Sequence, residues 1–463
     1  MSTFSGLSSA ASALQAARQG MNVATQNIAN QKTEGYTRQR VETAGRASVD
    51  GSRFTLGPKV GGGVDVTGIS RLGDNVLDAR VRDTLAASGF WSTKAAVAVT
   101  AEKTLAEPGP DGLSTKMNQF WSRLSDLSNT PDSAASGEVV LSNAKLLTAQ
   151  IGEGYRAVSG QWDDANRSTG IIATQVNAAA DEVADLNRSI RDTLAAGGSA
   201  NELVDARNLL AQKVARLSGA TGTVEKDGTM TLRVDGNALV SGTNARHLSV
   251  TNPTSLEQGT PTTVSWADGV PIQAVGGELG GAIAAVAPDG VLAKLAGSYN
   301  DLARSLADTV NTQHQAGVTS SGAVGGEFFT IAPGGPAAVS LSVAVTSLAD
   351  LAVARPGSGA KDGSNAEAIA DAGRGIGGPS ELWGKVIADI GGIVSTDLGR
   401  AERAEITTVA AVSAQASLSS VDNDEETVQL MQHQTAYQAA ARALTAVDEA
   451  LDILINRTGL VGR

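Results

Sequence analysis

Apolar residues recur at every seventh position at both ends of this chain. Leu7, Leu14, Met21 and Ile28 form one such row near the start, with Ala10, Ala17 and Ala24 in a second row beside it. Near the end, Leu430, Tyr437, Leu444 and Leu451 repeat the spacing, flanked by Ala440, Val447 and Leu454. A sustained repeat of seven predicts helices that pack on other helices along one stripe. The remaining face of the first helix is unusual. Its opening thirty residues hold a single charged side chain, Arg18, among Ser, Gln, Asn and Thr. Such a helix gains most from packing among copies of itself, where charged side chains would have to be desolvated.

Between these ends the periodicity changes several times. NQKTEGYTRQRVE reads as a turn, and SVDGSRF and VGGGVDVTG lean towards strand. From about Asn75 to Gly219 the helical pattern persists, broken at EPGPDG, NTPDS and GGS. Val176, Val183 and Ile190, then Leu203, Leu210 and Leu217, continue the seven-residue rows. Ser199 with Glu202, and Asp422 with Glu425, have capping-box spacing. After Gly219, alternation around Asp227-Gly228 and Asp235-Gly236 predicts hairpins, and TVSWADGVPI predicts another. A helix returns from Asp289 to about Gln315, and Val339, Leu341, Val343 and Val345 alternate as a strand would.

The fold class is therefore mainly α with β insertions, arranged as nested, discontinuous domains. Residues 1–32 and 420–463 pair as a terminal coiled coil. Residues 33–218, 276–318 and 360–419 form a long helical-bundle domain. Residues 219–275 and 319–359 form a small outer β domain.

Composition narrows the function classes. A net charge of −12 without a basic run argues against nucleic acid. With no cysteine, disulfides, thiolate-bound zinc and thiol catalysis are excluded. No continuous apolar run reaches membrane-spanning length, and the N-terminus does not read as a cleaved signal peptide. The three histidines, His247, His314 and His433, are isolated and suit structural roles. GRGIGG (373–378) has dinucleotide-loop spacing but lies between helices rather than after a strand, so it reads as a connector. VDNDEE reads as a helix start rather than a cation loop. No catalytic, metal-binding or cofactor-binding set emerges, and no cofactor is expected.

Two stretches carry a resemblance. TQNIANQKTEGYTRQR is similar to the N-terminal signature of the bacterial flagellar axial proteins, the rod, hook and hook-associated subunits, through Asn27, Ile28, Ala29, Asn30, Thr33, Gly35, Tyr36 and Arg38. VDNDEETVQLMQHQTAYQAAARALTAVDEALDILIN resembles that family's C-terminal helix, through Asp424, Glu425, Glu426, Gln434, Ala436, Tyr437 and Gln438. Both stand at the proper ends of the chain. The long helical interior, with NELVDARNLLAQKVARLSG, NTQHQAG and GEFFTI, resembles the hook-associated branch more than rod or hook proteins.

The resemblance implies a structural subunit joining hook to filament outside the cell, exported unfolded through the flagellar type III channel. It also implies partners: further copies in a ring, the hook protein, a second junction protein, and an export chaperone on the C-terminal helix. The terminal rows (Leu7, Leu14, Met21, Ile28; Leu430, Tyr437, Leu444, Leu451) would pack the inner tube. A hook or distal rod protein is the alternative within the family, and a secreted adhesin the alternative outside it. An adhesin would need a binding patch in the β region, where Trp266 is the sole aromatic between Gly219 and Gly290.

Overall fold

The structure is a computed structural model that describes residues 3–47, 61–273, 275–359, 361–453 and 455. SVDGSRF and Leu454 lie outside these residues. Helix α1 (Thr3–Asn30) leads through a turn into an antiparallel ribbon, β1 (Gln39–Gly45) with β2 (Val64–Arg71). Four helices follow: α2 (Asn75–Thr104), α3 (Leu113–Asn129), α4 (Ala134–Ala195) and α5 (Asn201–Ser218). Their breaks fall at the Pro- and Gly-containing segments. Asp74 and Ser133 accept first-turn N–H groups as N-caps of α2 and α4.

Helix α5 stops at Gly219, whose φ of 74° suits glycine. A side chain there would also strike the backbone of Gly276. The expected Ser199–Glu202 capping box does not form. Ala200 is the N-cap, without a side-chain bond, and Glu202 bonds Gln26 and Gln39 instead. Tertiary partners have outcompeted the local cap.

The first β insertion forms two small sheets. Strands β3 (Thr221–Val224), β4 (Met230–Val234), β5 (Asn237–Ser241) and β6 (Asn244–Ala245) make one. Strands β7 (Leu248–Thr251), β8 (Thr263–Trp266) and β9 (Pro271–Ile272) make the other. The β4–β5 hairpin turns on Asp235 and Gly236, both with positive φ (50° and 74°), as a tight hairpin of this hand requires. Trp266 is buried, with the Arg246 guanidinium 4.3 Å from its ring, so it offers no surface patch for an adhesin.

Helices α6 (Gly277–Val286) and α7 (Val291–Gln315) contain a long apolar stretch. It passes a length-and-hydropathy test for a membrane span, but most of it is buried inside the protein. Next come β10 (Phe329–Ile331), a short helix α8 (Ala337–Ser340) and β11 (Leu341–Val343). The expected alternation from Val339 to Val345 thus yields only a three-residue strand, because Val339 lies in α8. Helices α9 (Ser364–Arg374), α10 (Pro379–Ser419) and α11 (Asn423–Asp452) complete the chain, with GRGIGG joining α9 to α10.

Two hydrophobic cores divide the body. One gathers α3, the first half of α4, α7, α9, α10 and the 328–353 segment around Phe120, Trp121, Phe328 and Trp383. The other gathers the second half of α4, α5, α6 and strands β4 to β9 around Val183, Leu232 and Trp266. This corrects the expectation that 219–275 and 319–359 share one outer β unit. Phe328 and Phe329 stack beside Phe120, at 5.9 and 6.0 Å, and hold the second β segment in the first core. Helix α4 runs through both cores.

Helices α1 and α11 pack antiparallel beside this body. A β-carbon on Gly6 would touch Val447, one on Gly20 would collide with the His433 imidazole, and Asn27 bonds Glu426. These three pairs keep one register. The seam is therefore Gly6, Gly20 and Asn27 against Val447, His433 and Glu426. The expected leucine rows are not at its centre: Leu7, Leu14, Met21, Ile28, Leu430, Tyr437, Leu444 and Leu451 are each half-buried, whereas Ala10, Ala17, Ala24 and Ala440 are buried. Small residues let the two backbones approach, and the larger side chains are displaced to the flanks.

Candidate functional site

The two sequence signatures, hundreds of residues apart, meet at one joint. Asn27 is buried in the last turn of α1, and its amide NH2 donates to the Gln39 carbonyl (2.9 Å) and to Glu426 Oε2 (3.0 Å). Its own carbonyl accepts from the Gln39 N–H (3.0 Å) and the Tyr36 hydroxyl (2.8 Å). One asparagine side chain thus uses every polar atom it has, and binds helix, turn, strand and the opposite end of the chain together.

Arg38 supplies the second clasp. Its Nε donates to Glu426 Oε1 at 2.6 Å and its Nη1 to Glu425 Oε2 at 2.7 Å. Its backbone N–H donates to the Ser419 carbonyl at the end of α10. Glu426 is only 3% exposed, so its charge is compensated by Arg38 and Asn27 rather than by water. Asp422 caps α11 through the N–H groups of Asp424 and Glu425, and three acids in that first turn suit the helix dipole. Glu425 therefore forms only half of the expected capping box, since its carboxylate is committed to Arg38.

A third layer ties the turn to the body. The Thr37 N–H donates to Asp205 Oδ2 (3.0 Å), and Arg71 bridges Asp205 Oδ1 (2.7 Å) and the Thr37 hydroxyl (2.8 Å). Glu202 accepts from Gln26 and Gln39, and Asn201 donates to Gln39 and to the Ile69 carbonyl. Burial pushes the Tyr36 hydroxyl up to about 12, reinforced by the negative charges of Glu202, Asp205 and Glu426. Burial likewise raises Asp205 against the opposing pull of Arg71 and Thr37. Both groups line a cleft of about 490 Å³ between the 31–37 turn, α5 and the end of α10. The joint fixes positions.

The remaining signature residues are placed around it. Asn30 donates to the Gln26 carbonyl and accepts from Thr33, and Gly35 turns with a φ of 78° against Leu209. Ile28 is half-buried, and Ala29, Asp424, Gln434, Ala436 and Gln438 are exposed. Sequence reasoning missed Gln39, Arg71 and Asp205, and assigned Glu202 to a cap rather than to this joint. The signal was there in NELVDAR, which places two carboxylates three residues apart at the start of α5.

Residues 99–329 match the family model of the flagellar hook-associated protein FlgK helical domain. Residues 7–37 match that of the flagella basal body rod protein, and residues 414–457 that of the flagellar basal body rod FlgEFG protein C-terminal. The chain is 28% identical over 508 residues to flagellar hook-associated protein 1 of Bacillus subtilis, covering all of both chains. It is 30% identical to flagellar hook-associated protein 1 of Salmonella typhimurium, over 70% of this chain and 58% of that relative. Its fold is similar to that of the flagellar hook junction protein FlgK from Burkholderia pseudomallei, with a TM-score of 0.62 at 15% identity, over 74% of this chain and 100% of the other.

Proposed function

We infer that this chain belongs to the flagellar hook-associated protein 1 family and is a structural subunit of the bacterial flagellum, outside the cell, joining hook to filament by assembly without turnover. The observation that carries this is the joint at Asn27, Arg38 and Glu426. It binds both terminal signatures to a body whose helical interior matches the hook-associated model. Rod and hook proteins share the end motifs, but the 99–329 helical match favours the junction member.

In this proposal α1 and α11 form the inner, tube-lining unit, and the helical body the next layer. The outward face of α1 carries Ser, Gln, Asn and Ala with Arg18 as its one charge, so it borders water with little to hold a passing chain, whereas α11 also exposes Arg442, Asp448 and Glu449. Copies assemble as a ring between the hook protein and a second junction protein, after export in unfolded form. Before export a chaperone covers α11. The exposed Val428 and Met431 support that last point, since they form an apolar strip on a helix that the body leaves largely uncovered.

Antibody-label electron microscopy of flagella sheared from producing cells tests the placement. A narrow band at the hook–filament boundary is expected. Label spread along the hook would move the chain to the hook class, and unlabelled flagella would overturn the proposal.

A further inference from the structure

Helices α2 and α10 frame a shallow groove of about 360 Å³, with Trp91 at its wall and Arg400 and Arg403 along its edge. The Arg400 guanidinium lies 4.6 Å from the Trp91 ring centre and the Lys94 ammonium 5.3 Å. Lys94 is engaged by the buried Asp397, and Glu405 by Ser88. Arg400 and Arg403 form no ion pair among the described residues. Asp83 is the one acid in the lining. Two uncompensated arginines beside a half-buried tryptophan stand out on a chain of net charge −12. Tryptophan and arginine are the residues that dominate binding energy at protein interfaces, and a guanidinium already stacked loses little freedom on binding.

The same molecule carries a complement. The stripe of α4 from Ile172 to Ile190 is buried, and its opposite face is open. From Asp163 to Asp185 the helix carries five carboxylates (Asp163, Asp164, Asp181, Glu182, Asp185) against one arginine, Arg167. Ile171, 59% exposed, sits among them. Arg167, Arg188 and His247 pair with Asp164, Asp185 and Asp181, while Asp163 and Glu182 form no ion pair among the described residues. This acidic face is about 33 Å long at the α-helical rise.

The two surfaces cannot meet within one chain. Helices α5 and α6 fill most of the space between α4 and α2, which touch each other only briefly: both pack on α4, and Gly89 and Phe90 of α2 press against Arg216 and Gly281. Trp91, the next residue, turns away towards α10. One surface looks out from each side of this stack.

We propose that the Trp91–Arg400–Arg403 groove docks the acidic face of α4 of a second copy of this chain, so that copies join side by side, head to tail. Because the two halves of the contact are different surfaces, each copy leaves one half open for the next, which builds a closed ring or a helical array. The inference rests on the self-assembly reading above, but its test is separate from the test of location.

Lacking cysteine, the chain can take engineered thiols that are the only ones present. Thr407→Cys is combined in turn with Glu182→Cys and Asp163→Cys, in flagella that show label at the hook–filament boundary, and treated with a short bifunctional maleimide. A ladder of multimers of this chain is expected from at least one pair and from none of the three single variants. Adducts to another flagellar protein alone, or no adduct from either pair, would overturn the contact while leaving the location intact. In a second arm, Arg400→Glu with Arg403→Glu should abolish the junction label, and adding Asp181→Lys with Glu182→Lys should restore it. Failure to restore it would overturn the proposal even where the first pair alone is inactive.

Discussion

Gly20 of the first helix receives the imidazole of His433 from the last helix, in the same register that brings Asn27 onto Glu426. A β-carbon at position 20 would overlap the ring, so the separation of the two helices is set there by the absence of a side chain.

Gly20→Ala should accordingly force α1 and α11 apart, at a cost of about 1–3 kcal/mol typical of overpacking. Limited proteolysis should then cut the terminal helices faster while the body stays resistant. Combining it with His433→Ala should recover much of the protection. A Gly20→Ala chain with unchanged cleavage would show that the seam does not depend on this contact.

Arg38→Ala leaves the Glu426 carboxylate buried with only Asn27 for company. Removing one partner of a buried ion pair costs about 3–5 kcal/mol. The expected result is early unfolding of the terminal pair, read as a separate low-temperature transition in calorimetry. Because neither Arg38 nor Glu426 belongs to either core, the main transition should hardly move.

His314 makes stability depend on pH. Its Nε2 accepts the Ala352 N–H at 2.9 Å, so the neutral ring carries its proton on Nδ1 and donates it to the Gly326 carbonyl at 2.8 Å. Burial lowers its affinity for a further proton. The folded state thus resists a proton that the unfolded chain accepts near pH 6.5. Its contribution is complete above that pH and is lost as pH falls towards the lowered folded value, by at most about 1.4 kcal/mol per pH unit for one proton. Urea midpoints measured from pH 7.5 to 5 should fall, and His314→Gln should flatten that part of the slope.

Leu14→Lys and Leu444→Lys test the flanks of the terminal pair. Both positions are half-buried beside the seam, so a lysine stem can be accommodated in the isolated chain. In the assembled flagellum the charge would be desolvated. Circular dichroism should be unchanged while incorporation at the junction is lost. Normal filaments from both variants would remove these rows from assembly.

How far the sequence could be read depended on whether local or distant partners decide each element. Helix breaks at EPGPDG and NTPDS and the Asp235-Gly236 turn follow from backbone preferences, and the structure places them accordingly. Period was readable at the ends of the chain, but phase was not. Leucines mark a seven-residue row most visibly, yet the seam selected Gly6, Gly20 and Asn27, because close approach rewards small residues and a buried asparagine with four hydrogen bonds. Glu202 was read as a cap since nothing local competes with that role. Only the fold brings Gln26 and Gln39 to it. The same holds for Phe328 and Phe329, whose neighbour Phe120 lies some two hundred residues earlier and draws a strand-like segment away from the other sheets.

Helix α4 has a mechanical consequence. Its 62 residues contain no proline, and its two halves are gripped by two different cores. A rod of about 90 Å clamped in this way transmits torque from one core to the other without yielding. The terminal helices join the rest of the chain through short non-helical passages, 31–38 between α1 and β1 and 420–422 between α10 and α11. Those two passages run beside each other, tied through the Arg38 N–H and the Ser419 carbonyl. Load reaching the terminal helices therefore passes to this rod through the tied joint at Asn27, Arg38 and Asp205.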